Sequence, residues 1–194
     1  MMNIINWDQF IKTGLALTAQ MKHCANRKSS MTVGVFDGVH LGHQALLRQV
    51  VLHNAGYVPV VVTFRQNPKA NNGQKDILNF KQRLEMLENI GIQIAVVIDF
   101  TEDFKRMPGA EFLEILLRLG NPGFFTVGSN FRCGYKLDTN AEKIKSFFAS
   151  CNIPAEIIPE VMEGSSPISS SRIRTAIAAG DMQLAEKMLN RQYN

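Results

Sequence analysis

The spacing of hydrophobic positions changes repeatedly along the chain, and each change predicts an element. Residues 31–36, MTVGVF, are short, β-branched and apolar and stop at Asp37-Gly38, which predicts a buried strand entering a tight turn. In LGHQALLRQVVLHNAG, Leu41, Ala45, Leu46, Val50 and Leu52 recur at helical spacing, and Gly56 closes the segment. Residues 57–64, YVPVVVTF, form a nearly unbroken apolar run, the pattern of a central parallel strand covered on both faces. Phe80, Leu84 and Leu87 at i, i+4 and i+7 predict a second helix, again ended by a glycine. A third strand follows at 92–100, then a helix over 108–120 with Pro108 near its start. The fourth strand is read at 124–128, a further helix at 141–150 and a short fifth strand at 153–159. SSSRIRTAIAAG and DMQLAEKMLN then read as helices, opening on serine and aspartate N-caps. Strand and helix alternate without a repeat or a linker, which predicts an α/β fold: a doubly wound parallel sheet closed by a helical C-terminus.

Composition narrows the classes. At 194 residues the chain is long enough to bury about 70% of its unfolded surface in one core, so 1–194 is read as a single domain. Hydrophobic residues make up 45% and charged residues 20%, and no apolar run approaches the roughly 20 residues that span a bilayer. The opening MMNIINWDQFIK has no basic segment followed by a clean apolar stretch, so no signal peptide is read and the expected location is cytoplasmic. Cys24, Cys133 and Cys151 are an odd count without CxxC spacing, which argues against a disulfide framework and a structural zinc site. The net charge of +4 suits a polyanionic ligand. The basic residues are scattered, however, so neither nucleic acid nor a membrane is expected as a partner.

In a doubly wound sheet, ligands bind at the carboxyl ends of the strands, and the residues there carry the candidate chemistry. After the first strand come Asp37, Gly38, His40, Gly42 and His43. The two histidines, three apart at a helix start, fall on one side of an N-terminus whose free amides and partial positive charge attract phosphate. A zinc pair would need further ligands nearby, and no H-E-x-x-H or Cys/His cluster supplies them. After the second strand, TFRQNPK places Asn67 and Lys69 on a loop stiffened by Pro68, which alone is a weak signal. After the fourth, VGSNFRCGYK brackets Asn130, Phe131 and Arg132 with glycines. After the fifth, ISSSRIR puts Ser169, Ser170 and Ser171 at a helix start with Arg172 and Arg174 close behind. This is either a second anion site or a capped helix with solvated arginines.

Taken together, these segments resemble the HxGH nucleotidyltransferases, and more closely the adenylyltransferase module of bacterial FAD synthetase. The family pattern GNFDGVHLGHQ, TFxPHP, VGxDFRFG, ISSTRIR and GDVxxAxxLLGRPY is matched in order by GVFDGVHLGHQ, TFRQNP, VGSNFRCG, ISSSRIR and GDMQLAEKMLNRQY. Gln66 and Asn67 stand where the pattern has Pro-His, Asn130 where it has Asp, Cys133 where it has Phe, and NRQY where it has GRPY.

The resemblance implies a Rossmann-like fold and transfer of AMP from ATP to FMN, giving FAD and pyrophosphate. It implies that Gly34, Val35, Phe36, Asp37, Gly38 and Gly42 line the ATP site and that His40 and His43 stabilise charge at the α and β phosphates. Ser170, Ser171, Arg172 and Arg174 are expected on the β and γ phosphates, with Arg172 the catalytic arginine. Asn130 is expected on the adenine side, and Thr63, Asn67 and Phe131 beside the flavin. Mg2+ is expected to arrive with ATP, with no residue assigned as its ligand. Bifunctional members continue into a riboflavin kinase module; none is read within 1–194, so a separate riboflavin kinase is expected to supply FMN. The rival readings are a transferase for another phosphate acceptor, such as glycerol phosphate or phosphopantetheine, and a non-catalytic nucleotide-binding paralogue.

Overall fold

The apolar runs lie side by side in one six-stranded parallel sheet, in the order Asn3–Asn6, Ile94–Ile98, Tyr57–Phe64, Lys28–Val33, Pro122–Gly128 and Ala155–Ile158. The structure, a computed structural model, describes residues 1–15, 27–53, 56–66 and 75–193. Its sheet strands are β1 (Asn3–Asn6), β2 (Lys28–Val33), β3 (Tyr57–Phe64), β4 (Ile94–Ile98), β5 (Pro122–Gly128) and β8 (Ala155–Ile158). The helices are α1 (Trp7–Thr13), α2 (Leu41–Leu52), α3 (Phe80–Ile90), α4 (Glu102–Arg106), α5 (Gly109–Gly120), α6 (Ala141–Ser150), α7 (Ser170–Ala178) and α8 (Met182–Leu189). Two small antiparallel pairs, β6 (Arg132–Cys133) with β7 (Thr139–Asn140) and β9 (Met162–Glu163) with β10 (Ser166–Pro167), decorate the loops.

Strand periodicity divides the core. Val58, Val60, Val62 and Phe64 of β3 face Phe10, Phe112, Leu116 and Phe148 from α1, α5 and α6, whereas Val61 faces Leu46, Leu47 and Leu87 from α2 and α3. Helices therefore cover both faces, as the unbroken apolar run of β3 requires. Ile168, Ile173, Ala185, Met188 and Leu189 form a third cluster that seats α7 and α8.

The strands expected at 92–100, 124–128 and 153–159 run over Ile94–Ile98, Pro122–Gly128 and Ala155–Ile158, and the largest difference is at the first strand. The strand expected at 31–36 runs instead over Lys28–Val33. Ser29, Ser30 and Thr32 are fully buried within it, while Gly34 to Phe36 form loop rather than strand.

The sheet winds from β2 through β3 to β4 in one direction and from β2 to β5 in the other. At this reversal the loops after β2 and β5 diverge to opposite faces and leave a crevice between them. That crevice is the candidate site.

Candidate active site

The loop after β2 turns through left-handed backbone at Phe36 (φ 55°), Gly38 (φ 81°) and Val39 (φ 40°). Gly38 takes this conformation without strain, but Phe36 and Val39 cost about 1–3 kcal/mol apiece. Both side chains are fully buried beside Leu47 and Val61, and such burial is worth about 1.5–3 kcal/mol each. Packing therefore holds the turn in a shape that its backbone alone would leave.

The turn delivers His40 to the N-cap of α2, where its Nδ1 accepts the His43 amide at 3.3 Å. The two imidazoles stack with ring centroids 3.7 Å apart and planes 19° from parallel. Gly42 makes room for this, since a Cβ there would stand 3.2 Å from the His40 ring. Burial, and then the charge of Arg191, pushes the pKa of His40 down to about 4. Burial, then His40 and Arg83, holds His43 well below its usual value of 6.5. Both rings are neutral at pH 7. With Nδ1 of His40 accepting, its proton sits on Nε2, leaving a neutral N–H donor.

Asp37 ties this loop to its neighbours. Its Oδ1 accepts from the Ile77 amide at 2.9 Å, its Oδ2 from Arg174 at 2.5 Å, and its backbone oxygen from the Ser170 hydroxyl at 2.9 Å. Burial, with the nearby charge of Asp76, raises its pKa against the lowering by the Ile77 amide and Arg174. The first turn of α7 is thereby set against the first turn of α2. Ser169 caps α7 by accepting the Arg172 amide at 3.2 Å.

These parts enclose a cleft of about 370 Å³, within the range of about 300–1,000 Å³ usual for small-molecule sites. Of the residues expected from the sequence, Gly34, Val35, Phe36, Asp37, His40, Gly42, His43, Asn130, Phe131, Ser170, Ser171 and Arg174 line it. Gly38 sits behind the wall, its carbonyl accepting from Arg191 at 2.7 Å. Thr63 is buried in β3 with its hydroxyl 3.3 Å from the Val35 carbonyl, and Asn67 lies outside the described residues. Arg172 lies outside the lining. Its guanidinium donates to the carbonyls of Ser166 at 2.8 Å, Pro167 at 3.4 Å and Glu163 at 3.0 Å, bracing the β9–β10 hairpin.

Sequence reading missed Glu160, whose carboxylate accepts from Asn130 Nδ2 at 3.1 Å on the cleft rim. It also gave no role to Arg83, or to Gln44 and Arg191, which stand in the segments GVFDGVHLGHQ and GDMQLAEKMLNRQY; the contacts of all three run to loop carbonyls. A separate concavity of about 590 Å³, lined by Ala45, Arg48, Gln49, Val51, Leu52 and Ile90, contains none of the expected residues.

A family model described as FAD synthetase matches residues 22–172. The chain belongs to the FAD synthetase family. A bifunctional riboflavin kinase/FMN adenylyltransferase from Buchnera aphidicola subsp. Schizaphis graminum is 28% identical over 177 residues, covering 87% of this chain and 57% of that protein. A Listeria monocytogenes protein named FAD synthetase is 25% identical, covering 87% of this chain and 71% of its own length. A crystal structure described as a macrolide-efflux protein from Streptococcus pneumoniae matches with TM-score 0.79 and 27% identity over 100% of this chain and 72% of that one. This FAD synthetase family member thus spans little more than half of the bifunctional relative, at 57%. None of its described helices is long and apolar enough to cross a membrane.

Among the described residues, no group of three or more His, Cys, Asp or Glu is placed to hold an ion. The cleft carboxylates of Asp37 and Glu160 are engaged by Arg174 and Asn130. A cation in this cleft would have to take most of its ligands from a bound polyphosphate and water.

Proposed function

We propose that the chain is an FMN adenylyltransferase, transferring AMP from MgATP to FMN to give FAD and pyrophosphate. The observation that carries this reading is the convergence on one cleft of two helix N-termini, stacked neutral histidines and Arg174. Membership of the FAD synthetase family supports taking the polyanions to be ATP and FMN.

The FMN phosphate is already ionised, so its oxygen can attack the α-phosphate without a base. The reaction forms the new P–O bond and breaks the bond between the α and β phosphates, releasing pyrophosphate. The chain's task is alignment and charge stabilisation. The first-turn amides of α2 have no intrahelical acceptors; that of His43 is capped by His40, and those of Leu41 and Gly42 are offered to the phosphates. The imidazole N–H groups stabilise charge growing on the α and β oxygens. Binding a polyanion favours their protonated forms, so the apo pKa values rise toward neutrality in the complex. The α7 N-terminus, with Ser170 and Ser171, faces the β and γ phosphates, and Arg174 adds a fixed cation. Asn130 and Phe131 border the side left for the adenine and flavin rings. Mg2+ belongs to the substrate MgATP.

The test supplies MgATP with FMN, glycerol phosphate or phosphopantetheine in parallel and measures pyrophosphate. Release with FMN alone supports the proposal. Release only with another acceptor, or ATP binding without release, favours one of the two rival readings. Riboflavin as a further acceptor separates adenylyl transfer from kinase chemistry, and no product is expected from it.

A further inference from the structure

Every backbone carbonyl from Val35 to His40 is held by a donor inside the protein. Val35 O accepts from Arg83 Nη1 at 2.9 Å and Thr63 Oγ1 at 3.3 Å, and Phe36 O from the Val39 amide at 3.1 Å. Asp37 O accepts from Ser170 at 2.9 Å, and Gly38 O from Arg191 Nη2 at 2.7 Å. Val39 O accepts from Gln44 Nε2 at 3.0 Å and His40 O from the Gln44 amide at 2.8 Å. Oxygens held this way are turned into the protein. Left-handed residues at 36, 38 and 39 are of the kind that turn peptide N–H groups into an anion-binding concavity.

Two of these donors are cations. Arg83, on α3, is 1% exposed and also binds the carbonyls of Phe64 at 2.6 Å and Arg65 at 2.9 Å. Arg191 follows α8 and also touches the Leu189 carbonyl at 3.4 Å. All these hydrogen bonds end on backbone oxygens and none on a carboxylate. Gln44 shows that a neutral amide suffices to hold a carbonyl of this loop. Burying the Arg83 guanidinium for the same purpose adds a desolvation cost that the nearest carboxylates, Asp76 and Asp37, offset only in part. The charge itself therefore calls for a use, and the nearest one is the cleft. His40 faces His43 and Arg191, while His43 faces His40 and Arg83; Asp37 is paired with Arg174 and lies near Asp76.

We propose that Arg83 and Arg191 are positioning residues for the nucleotide's polyphosphate, holding the loop carbonyls away from the cleft and fixing two positive charges behind His43 and His40. This rests on the proposed function only in taking the ligand to be a polyphosphate. Arg191 lies beyond the matched residues 22–172, so the C-terminal segment becomes part of the site.

The test uses the full chain and inorganic tripolyphosphate, without FMN. Calorimetry measures affinity, and NMR of the imidazole C–H signals follows the titration of His40. Arg191→Gln is expected to weaken tripolyphosphate binding at least about tenfold and to raise the His40 midpoint, while Arg191→Lys restores the midpoint. Arg83→Lys, which keeps the charge but loses the forked grip, is expected to weaken binding without moving His40. A purely structural role would lower the melting temperature but leave the affinity of the folded variants and the His40 midpoint unchanged, and that result overturns the proposal. So does a wild-type chain that fails to bind tripolyphosphate. If tripolyphosphate binds and the variants behave as expected but no FAD forms, the positioning role stands and the FMN reading falls.

Discussion

Asp37 Oδ2 and Arg174 Nη1 lie 2.5 Å apart at the back of the cleft, joining the loop after β2 to the helix that follows β10. The aspartate is 2% exposed and the arginine side chain 17%. Breaking a buried pair from one side strands the other charge. Arg174→Ala is therefore expected to lower stability by about 3 kcal/mol, against about 1–2 kcal/mol for Asp37→Asn, whose amide oxygen can still accept from Ile77. Urea denaturation of both variants checks this. Equal losses would mean that the pair is not the link between the loop and α7.

Arg172 and Arg174 are two residues apart on α7, a spacing that does not put both on the same side. Arg174 lines the cleft and Arg172 braces the β9–β10 hairpin. Arg174→Ala is expected to raise the KM for ATP at least about tenfold, and Arg172→Ala to act mainly on stability. Steady-state kinetics of both variants separates these roles. A larger KM effect at Arg172 would show that it leaves the hairpin carbonyls to reach the triphosphate.

His43→Ala removes a neutral donor at the start of α2 without removing the cap, which His40 provides. Turnover is expected to fall by about 10² or more, with KM for ATP changing much less. An unchanged kcat would remove His43 from the catalytic machinery.

His40 makes stability depend on pH. An unfolded chain takes up a proton near pH 6.5 that folded His40 refuses until about pH 4. Between those values the unfolded state binds more protons, so stability falls as the pH falls, by about 3 kcal/mol from His40 alone. His43, also held low, acts in the same direction. Asp37 acts oppositely, because its raised pKa favours the folded state only as the pH drops toward 3.8. The melting temperature of the ligand-free protein is expected to decline from pH 7 to pH 5. His40→Asn, which keeps a capping side chain without the titration, should flatten that decline.

Hydropathy located the strands and helices wherever an element was covered on both faces or striped on one. It failed where burial and polarity disagree. Ser29, Ser30 and Thr32 are polar by type yet fully buried in β2, whereas Val35 and Phe36 are apolar yet belong to the loop, so the expected strand began and ended late. β1 and α1 went unread because Asn3–Asn6 is too short to show a period and no glycine marks the junction with Trp7. The five-residue α4 was missed for the same reason. The site's glycines, histidines and serines were legible because helix starts and tight turns restrict which residues can stand there. Arg83 was not, and Arg191, though inside the matched NRQY segment, was given no role, because a charge in a helix or a tail reads as surface until the fold places a carbonyl in front of it.

The central claim is adenylyl transfer to FMN, and the fate of the ATP phosphates tests it most directly. The chain is incubated with FMN and ATP labelled in either the α or the γ phosphate, and the products are separated by chromatography. The α label is expected in FAD, and the γ label only in pyrophosphate, with the two products formed in equal amounts. Absence of α label from any flavin product, while ATP and FMN both bind, would contradict the claim.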